Sequence, residues 1–281
     1  MSAVATGRVG EAVDAAADAF AAAGCESARL DAELLLAQAT GWDRARFATD
    51  PDMRLPVGAS REFAEMVRRR VRREPVAYIL GRKGFRRIEL VVDRRVLIPR
   101  PETELLVEVA LEIGAAAVID VGTGSGAIAL AVADELPTAK VFAIDTSMDA
   151  LRVAQVNTDR LGLADRVDVV NRGVASLAST GPCDLLLANL PYVSEDEWEG
   201  LAPEIREYEP REALVAGATG LEAIDGLLNS LAGLEWRPAT VALEIGAEQA
   251  AAASELVRGA GYSEVETRRD LAGLDRVVVG R

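Results

Sequence analysis

Two short stretches of the chain carry residue types that could bind a cofactor and hold a polar substrate group. The first is the glycine-rich turn Gly122-Thr123-Gly124-Ser125-Gly126, which follows Asp120 at the end of an apolar segment. The second is Asn189-Leu190-Pro191-Tyr192. Glycines let a backbone turn tightly beside a ligand, and an amide, a carbonyl and an aromatic ring can hold a planar group. We therefore expect a cofactor at the first stretch and a planar substrate group at the second.

The residues around the glycine turn indicate an adenosine-containing cofactor. Asp145 lies 23 residues after Gly122, at the end of the next predicted strand, where a carboxylate can accept both hydroxyls of a ribose. Gly122, Gly124 and Ala127 also satisfy the spacing of a dinucleotide-binding turn. Asp120 favours S-adenosylmethionine, because its charge would repel a pyrophosphate but attract a methionine ammonium directly or through water. A glycine turn that binds nothing is the remaining alternative.

The second stretch could hold an amide that is to be methylated. An amide nitrogen is a poor nucleophile because its lone pair is delocalised, so an enzyme must orient the NH2 group with two acceptors. Asn189 Oδ1 and the carbonyl of Leu190 are the predicted acceptors, and Tyr192 is the predicted aromatic wall. The alternative is an ordinary Asn-Pro turn in which Tyr192 only packs.

The composition excludes several kinds of catalysis. The chain of 281 residues has no His and only two Cys, Cys25 and Cys183, which lie far apart. We therefore expect no metal site and no mechanism that depends on a histidine base. Methyl transfer from an activated sulfonium needs no such base, so this composition agrees with the predicted chemistry.

Charge and hydropathy limit the partners. The net charge of −14 disfavours direct binding of nucleic acid, which needs clustered Lys and Arg. A basic run at residues 68–73 is interpreted as a solvated helix face or as a contact for an acidic partner. No apolar segment is long enough for a membrane span, and the N-terminal stretch is too charged for a signal peptide. We expect a soluble, cytoplasmic, monomeric protein.

The spacing of apolar residues predicts three parts. Residues 1–75 have the pattern of a small helical domain, and residues 76–98 are predicted to be a β-hairpin linker with strands at 77–81 and 85–92. In residues 99–281 strands and helices alternate, and the chain closes with two strands joined by a turn. This pattern predicts an α/β fold, with a mostly parallel sheet, helices on both faces and an antiparallel last strand.

Motifs along nearly the whole chain resemble those of the release-factor glutamine methyltransferases of the PrmC/HemK type. The stretches that carry this resemblance are Asp31-Ala32-Glu33-Leu34-Leu35-Leu36, Glu74 to Gly81, Val96 to Glu104, Asp120 to Ala127, Asn189 to Tyr192, Tyr208 to Leu214, Arg269-Asp270 and Arg276-Val277. The resemblance implies a Rossmann-like class I methyltransferase sheet. It also implies transfer of a methyl group from S-adenosylmethionine to N5 of the glutamine in the Gly-Gly-Gln loop of peptide-chain release factors.

The resemblance also implies roles for particular residues. The cofactor would be bound by residues 122–126, Asp145 and Asn189, with Val174 beside the adenine, and the glutamine by residues 189–192. Arg100 and Glu102 would lie near the mouth of the site. Two positions depart from the family: Leu190 replaces a proline of the Asn-Pro-Pro-Tyr motif, and Gly173 replaces an acid that often precedes the residue beside the adenine.

Four other functions agree with parts of the pattern. A glutamine methyltransferase of a ribosomal protein shares most of the motifs but usually departs from the run Ile98 to Glu104. An adenine-N6 nucleic-acid methyltransferase uses the same motif around Asn189, but it must neutralise phosphates. An inactive scaffold protein could tolerate Leu190 and Gly173. A dehydrogenase would need a proton donor that the sequence does not offer.

Overall fold

The computed structural model describes residues 7–281, which form two compact units. The first, here called the helical unit, contains the chain up to Gly81 together with Pro203–Tyr208. The second, here called the sheet unit, contains Arg82–Ala202 and Glu209–Arg281. Residues 1–6, the start of the predicted 1–75 domain, lie outside the described residues.

The helical unit has an apolar core between short helices. Phe20, Leu35, Leu36 and Phe63 are fully buried in it. Its helices are α1 (Val9–Ala22), α2 (Ala28–Thr40), α3 (Ala45–Thr49), α4 (Val57–Val71), α5 (Val76–Leu80) and, from later in the chain, α10 (Pro203–Tyr208).

The prediction of a strand at residues 77–81 is wrong, because these residues belong to helix α5. Pro75 stands just before the helix with φ −58°, which suits a first helical turn, and Gly81 ends it with φ +70°. The Val, Tyr and Ile side chains that favoured a strand instead fill the core, where Tyr78 and Ile79 are buried. Tertiary packing thus overrides their β propensity.

Most arginines of the basic run are engaged by carboxylates of the same unit. Arg68 pairs with Glu65 and Arg69 with Glu74. Arg70 is buried and pairs with Asp31 and Glu204, and Arg73 also binds Glu204. The run is therefore largely an internal network of ion pairs.

A β-hairpin opens the sheet unit. Strands β1 (Arg82–Phe85) and β2 (Ile88–Val91) are antiparallel, and Phe85 is opposite Ile88. The residues between them form the turn, in which Arg86 has φ +51°. A hairpin does lie within the predicted segment 76–98, but its strands are residues 82–85 and 88–91, so the predicted turn at residues 82–84 is wrong.

Seven strands form the central sheet. They are β3 (Ala117–Val121), β4 (Lys140–Asp145), β5 (Val167–Asn171), β6 (Leu185–Ala188), β9 (Thr240–Glu244), β10 (Val265–Arg269) and β11 (Asp275–Gly280). Their spatial order is β10-β11-β9-β6-β3-β4-β5. Only β11 is antiparallel to its neighbours in this sheet. The predicted fold class is confirmed, with the reversed strand one position in from the edge.

Helices pack against this sheet. They are α6 (Glu104–Ile113), α7 (Ala127–Glu135), α8 (Met148–Leu161), α11 (Glu222–Ala232) and α12 (Ala250–Gly259). Apolar residues of β3, β6 and β9 join those of α11 and α12 in one buried cluster. The strand order reverses between β3 and β6, and in such sheets the crevice beyond the carboxyl ends of these strands binds ligands.

The segment between β6 and α11 contains elements that the sequence pattern did not predict. These are β7 (Val193–Ser194), α9 (Glu195–Trp198) and β8 (Val215–Gly217), in addition to α10. Strands β7 and β8 pair in parallel outside the central sheet. Within residues 7–281, no helix is long and apolar enough to cross a membrane.

Candidate active site

A cavity of about 230 Å³ lies at the carboxyl ends of the central strands of the sheet unit. It brings together seven of the residues predicted to form the site. These are Gly122, Gly124, Asp145, Val174, Asn189, Leu190 and Pro191. The remaining predicted residues, Asp120, Thr123, Ser125, Gly126 and Tyr192, are not among those that line it.

The glycine turn lies close to the second predicted stretch. Gly122 has φ +75°, and a Cβ atom there would lie 3.1 Å from the Leu190 side chain. The amides of Gly122 and Thr123 both donate to the carbonyl of Ile144 at the end of β4. A glycine at position 122 therefore serves both the backbone conformation and this close approach.

Asp145 is held by two backbone amides. Its Oδ2 accepts from Gly124 N and its Oδ1 accepts from Ser147 N, each at 2.9 Å. Each carboxylate oxygen has a second lone pair. Asp145 lines the cavity, so its fixed carboxylate can accept the two hydroxyls of a ribose.

Asp120 is fully buried beneath the glycine turn. Its Oδ2 accepts from Thr123 Oγ1 at 2.6 Å and from Ala129 N at 3.2 Å, whereas Oδ1 has no partner. Burial raises the pKa of Asp120 to about 7, although the bond from Thr123 works against that rise. Asp120 thus stabilises the turn through Oδ2. Its Oδ1 has no hydrogen-bond partner, which a cationic group or a water could supply.

Asn189 follows β6 and reaches the cavity with a defined orientation. Its Nδ2 donates to Thr103 Oγ1 at 3.0 Å, which leaves Oδ1 as the acceptor for a substrate amide. Tyr192 is turned to a different partner, because its hydroxyl donates to Glu244 Oε1 at 3.4 Å. Burial raises the pKa of Tyr192 far above its ordinary value, so its hydroxyl stays neutral.

Arg100 and Glu102 of the predicted mouth do not line the cavity. Arg100 instead forms an ion pair with the buried Glu209, which also accepts from Ile98 N at 3.0 Å. Pro210 and Ala213, which follow Glu209, do line the cavity. The Arg100–Glu209 pair therefore joins two of the motifs at one wall of the site.

Three residues that support the site were missed by the sequence analysis: Thr103, Glu244 and Asn157. Asn157 of α8 accepts from Val91 N at 2.7 Å and donates to Val91 O at 3.0 Å and Ser125 O at 2.9 Å. It could have been recognised as a polar residue on the apolar face of α8. Glu244 could have been noticed as a single carboxylate that ends the apolar strand β9.

Comparison with known proteins agrees with the motifs. Residues 11–81 match the PrmC N-terminal domain family, and residues 101–205 match the Methyltransferase small domain family. The release factor glutamine methyltransferase of Caulobacter vibrioides is 40% identical over 270 residues, which cover 95% of this chain and 93% of that relative. The enzyme of the same name from Cereibacter sphaeroides is 40% identical over 276 residues, or 98% of each chain.

Solved structures agree with the fold. The catalytic domain of hMettl16 superposes with a TM-score of 0.56 at 17% identity, covering 68% of this chain and 75% of that chain. At this identity the likeness concerns the fold alone. The resemblance proposed from the motifs is confirmed by the relatives, and the chain belongs to the family of release factor glutamine methyltransferases.

Proposed function

We propose that this protein transfers a methyl group from S-adenosylmethionine to N5 of the glutamine in the Gly-Gly-Gln loop of peptide-chain release factors. The relatives that share about 40% of its residues carry the name of this activity. The observation that carries the proposal is the Asn189 amide, which lines the same cavity as Asp145 and the glycine turn. Its bond to Thr103 leaves an acceptor for an amide NH2 group.

The residues of the cavity fit S-adenosylmethionine. Asp145 would accept the ribose hydroxyls and Val174 would pack against the adenine, since both line the cavity. Gly122 has no Cβ atom that would clash with the Leu190 side chain beside this space. The unpartnered Oδ1 of Asp120 suits the methionine ammonium, reached through a water or a small shift of the turn. When bound, this cofactor supplies a methyl group that is already activated on a sulfonium.

The chain then has to orient the amide nitrogen. Asn189 Oδ1 and the Leu190 carbonyl each accept one N–H of the glutamine, which directs the nitrogen lone pair at the methyl carbon. The cofactor would supply the methyl group for the new carbon–nitrogen bond and keep the electron pair of its carbon–sulfur bond, and one N–H proton of the amide would be lost to water. Tyr192 stays neutral throughout and, because it does not line the cavity, lies behind the residues that hold the planar amide. No step needs a side-chain base, in agreement with a chain that has no histidine.

The two departures from the family affect geometry more than chemistry. Leu190 keeps the backbone carbonyl that proline would supply, and its side chain packs close to Gly122. A Cβ atom at Gly173 would lie 3.3 Å from the Thr146 side chain, so this site favours a small residue. Leu190 lines the cavity and therefore still offers the backbone acceptor that an active enzyme requires.

A protein substrate is favoured over a nucleic acid. The net charge of −14 opposes phosphate binding. Most of the arginines at residues 68–73 already pair with carboxylates of the helical unit. We propose that the predicted 1–75 domain instead helps to hold the release factor.

Methyl transfer from labelled S-adenosylmethionine to a purified release factor tests the proposal. The matched substrates are a release factor whose Gly-Gly-Gln glutamine is changed to alanine, and a DNA duplex. We expect label on the unmodified release factor only. Label on DNA, or on the alanine variant, would contradict the assignment of the substrate.

Two variants of the enzyme separate chemistry from cofactor binding. Asn189→Ala should abolish transfer and leave the affinity for S-adenosylmethionine largely intact, because it removes the acceptor for the substrate amide. Asp145→Ala should weaken the cofactor first, since it removes the ribose acceptor. Full activity of Asn189→Ala would show that the assigned mechanism is wrong.

A further inference from the structure

Glu244 is a buried carboxylate next to the residues that hold the substrate amide, and nothing in the proposed chemistry uses it. It ends strand β9, and only 1% of its surface is exposed. Its Oε1 accepts from the Tyr192 hydroxyl at 3.4 Å, and its Oε2 has no partner. A buried carboxylate with an unsatisfied oxygen is costly for a fold, so its retention calls for a functional reason.

The environment of Glu244 links it to both ends of the second predicted stretch. The Thr103 hydroxyl is near enough to this carboxylate that hydrogen bonding from it lowers the pKa of Glu244. Thr103 Oγ1 in turn accepts from Asn189 Nδ2 at 3.0 Å. The carboxylate is thus next to two hydroxyl groups, of which one belongs to Tyr192 and the other holds the catalytic amide.

We propose that Glu244 is a positioning residue, which acts through Thr103 to keep Asn189 Oδ1 directed at the substrate and directly to keep Tyr192 in place. This inference rests on the proposed function and adds a residue to it. In this arrangement the Thr103 hydroxyl would donate to Glu244, so that its lone pairs would face Asn189 and accept from Nδ2 at 3.0 Å. Without the carboxylate, Thr103 could donate to Asn189 Oδ1 instead, and the amide could turn its NH2 group to the substrate.

The groups around Glu244 make this positioning sensitive to pH. Burial raises the pKa of Glu244 to about 7, whereas the hydroxyls of Thr103 and Tyr192 lower it. The Glu102 carboxylate raises it further, and the charge of Arg276 lowers it. Arg276 is already bound by Asp270, to which its Nε donates at 2.9 Å. Glu244 therefore loses its charge as pH falls through about 7, and a neutral carboxyl is the weaker acceptor.

The first test compares the wild type with Glu244→Gln, a neutral residue of the same shape. We expect kcat to fall about 10- to 100-fold, as for a misplaced catalytic group. The affinity for S-adenosylmethionine, measured by calorimetry, should stay within about twofold. The wild-type kcat should decrease as pH falls through about 7, and Glu244→Gln should lack that decrease. An unchanged kcat, or an unchanged pH profile, would overturn the inference.

Asp120 is the matched control for the pH profile, because burial also raises its pKa to about 7. It lies beneath the glycine turn, and its hydrogen bonds are to Thr123 and Ala129 rather than to Asn189. If the decrease of kcat persists in Glu244→Gln but disappears in Asp120→Asn, the pH dependence belongs to the cofactor end and the inference fails.

Thr103 supplies a second test that does not depend on the folding of Glu244→Gln. Thr103→Val removes the hydroxyl at nearly constant volume and should lower kcat to a similar degree, and Thr103→Ser should restore it. Thr240→Val is the control, because Thr240 is a buried threonine at the opposite end of β9. Equal loss of activity in Thr103→Ser and Thr103→Val would contradict the role of the hydroxyl.

A spectroscopic readout separates failure of this inference from failure of the proposed function. The side-chain amide of Asn189, assigned by its loss in Asn189→Ala, can be followed by nitrogen-15 NMR without any substrate. We expect its resonances to titrate near pH 7 in the wild type and to be insensitive to pH in Glu244→Gln. If they titrate but no release factor is methylated, only the proposed function is wrong. If methylation occurs but they do not titrate, only the inference is wrong.

Discussion

Replacement of Asn157 by alanine should destabilise the sheet unit and loosen the glycine turn together. Asn157 is almost fully buried, and its side chain makes three hydrogen bonds, two to Val91 of the hairpin and one to the carbonyl of Ser125. It thus connects β2, α8 and the glycine turn. Alanine can replace none of these bonds, so the buried carbonyl of Ser125 and both backbone groups of the partly buried Val91 lose this partner.

The expected magnitude follows from these contacts. Three hydrogen bonds at about 1 kcal/mol each give a loss of about 3 kcal/mol in the free energy of unfolding. Alanine is the better helix former and returns about 0.6 kcal/mol within α8. The net destabilisation is then about 2.4 kcal/mol, which corresponds to a decrease of roughly 5 to 10 °C in Tm for a domain of this size.

Urea unfolding and calorimetric titration with S-adenosylmethionine measure the two effects. Gln155→Ala is the control, because Gln155 lies on the exposed side of the same helix and bonds only to Asp159 in the next turn. We expect it to change the free energy of unfolding by less than about 0.5 kcal/mol. If Asn157→Ala were no more destabilising than this control, or left cofactor affinity unchanged, the reasoning would be refuted.

Three further predictions concern charge and backbone conformation. Glu204→Ala deprives two arginines of an acceptor and should destabilise the helical unit by about 2 to 4 kcal/mol in urea unfolding, whereas Asp52→Ala, which breaks an exposed pair, should cost less than about 0.5 kcal/mol. Burial raises the folded-state pKa of Asp120 to about 7, so the wild type loses stability as pH rises from about 4 to about 7. Asp120→Asn should gain stability relative to the wild type across that pH range. A difference in the free energy of unfolding between the two proteins that did not change with pH would count against the buried charge. Gly122→Ala should weaken binding of S-adenosylmethionine in calorimetry, because φ +75° and the contact with Leu190 both disfavour a Cβ atom; wild-type affinity would contradict this account.

The pH dependence of Glu204 provides a separate check on the helical unit. Burial raises its pKa, but hydrogen bonds from Arg73 and Arg70 outweigh burial and hold the pKa below its ordinary value. The contribution of Glu204 to the free energy of unfolding is therefore present above its unfolded-state pKa. It is lost as pH falls through the lower folded-state pKa of Glu204.

Much of the sheet unit could be predicted because its strands are short apolar runs with clear ends. Strand β6, in which every residue is apolar and buried, is the clearest example. Parallel strands buried on both faces lack alternation, so a continuous apolar run closed by a glycine turn or an acid is a strong signal. The same reasoning failed at α5, where five apolar residues satisfied either structure and only Pro75 and Gly81 indicated a helix.

The parts of the site that escaped prediction depend on contacts between distant residues. Asn189, Asp145 and the glycine turn each follow a strand, so topology alone placed them at one crevice. The role of Thr103 depends on its closeness to Asn189 and Glu244, and no local pattern relates these three positions. The orientation of the Asn189 amide could therefore be found only in the folded chain.

The composition of the helical unit affects how the protein can be divided or recombined. Helix α10 belongs to that unit although it lies between β7 and β8 in the chain, and its Glu204 satisfies the buried Arg70. A protein cut after Gly81 would therefore separate a buried cation from one of its anions. In a chimera between two members of the family, the segment Pro203–Tyr208 should be exchanged together with the first 81 residues. Coupled substitution at positions 70, 73 and 204 is accordingly the evolutionary signature that we expect for this unit.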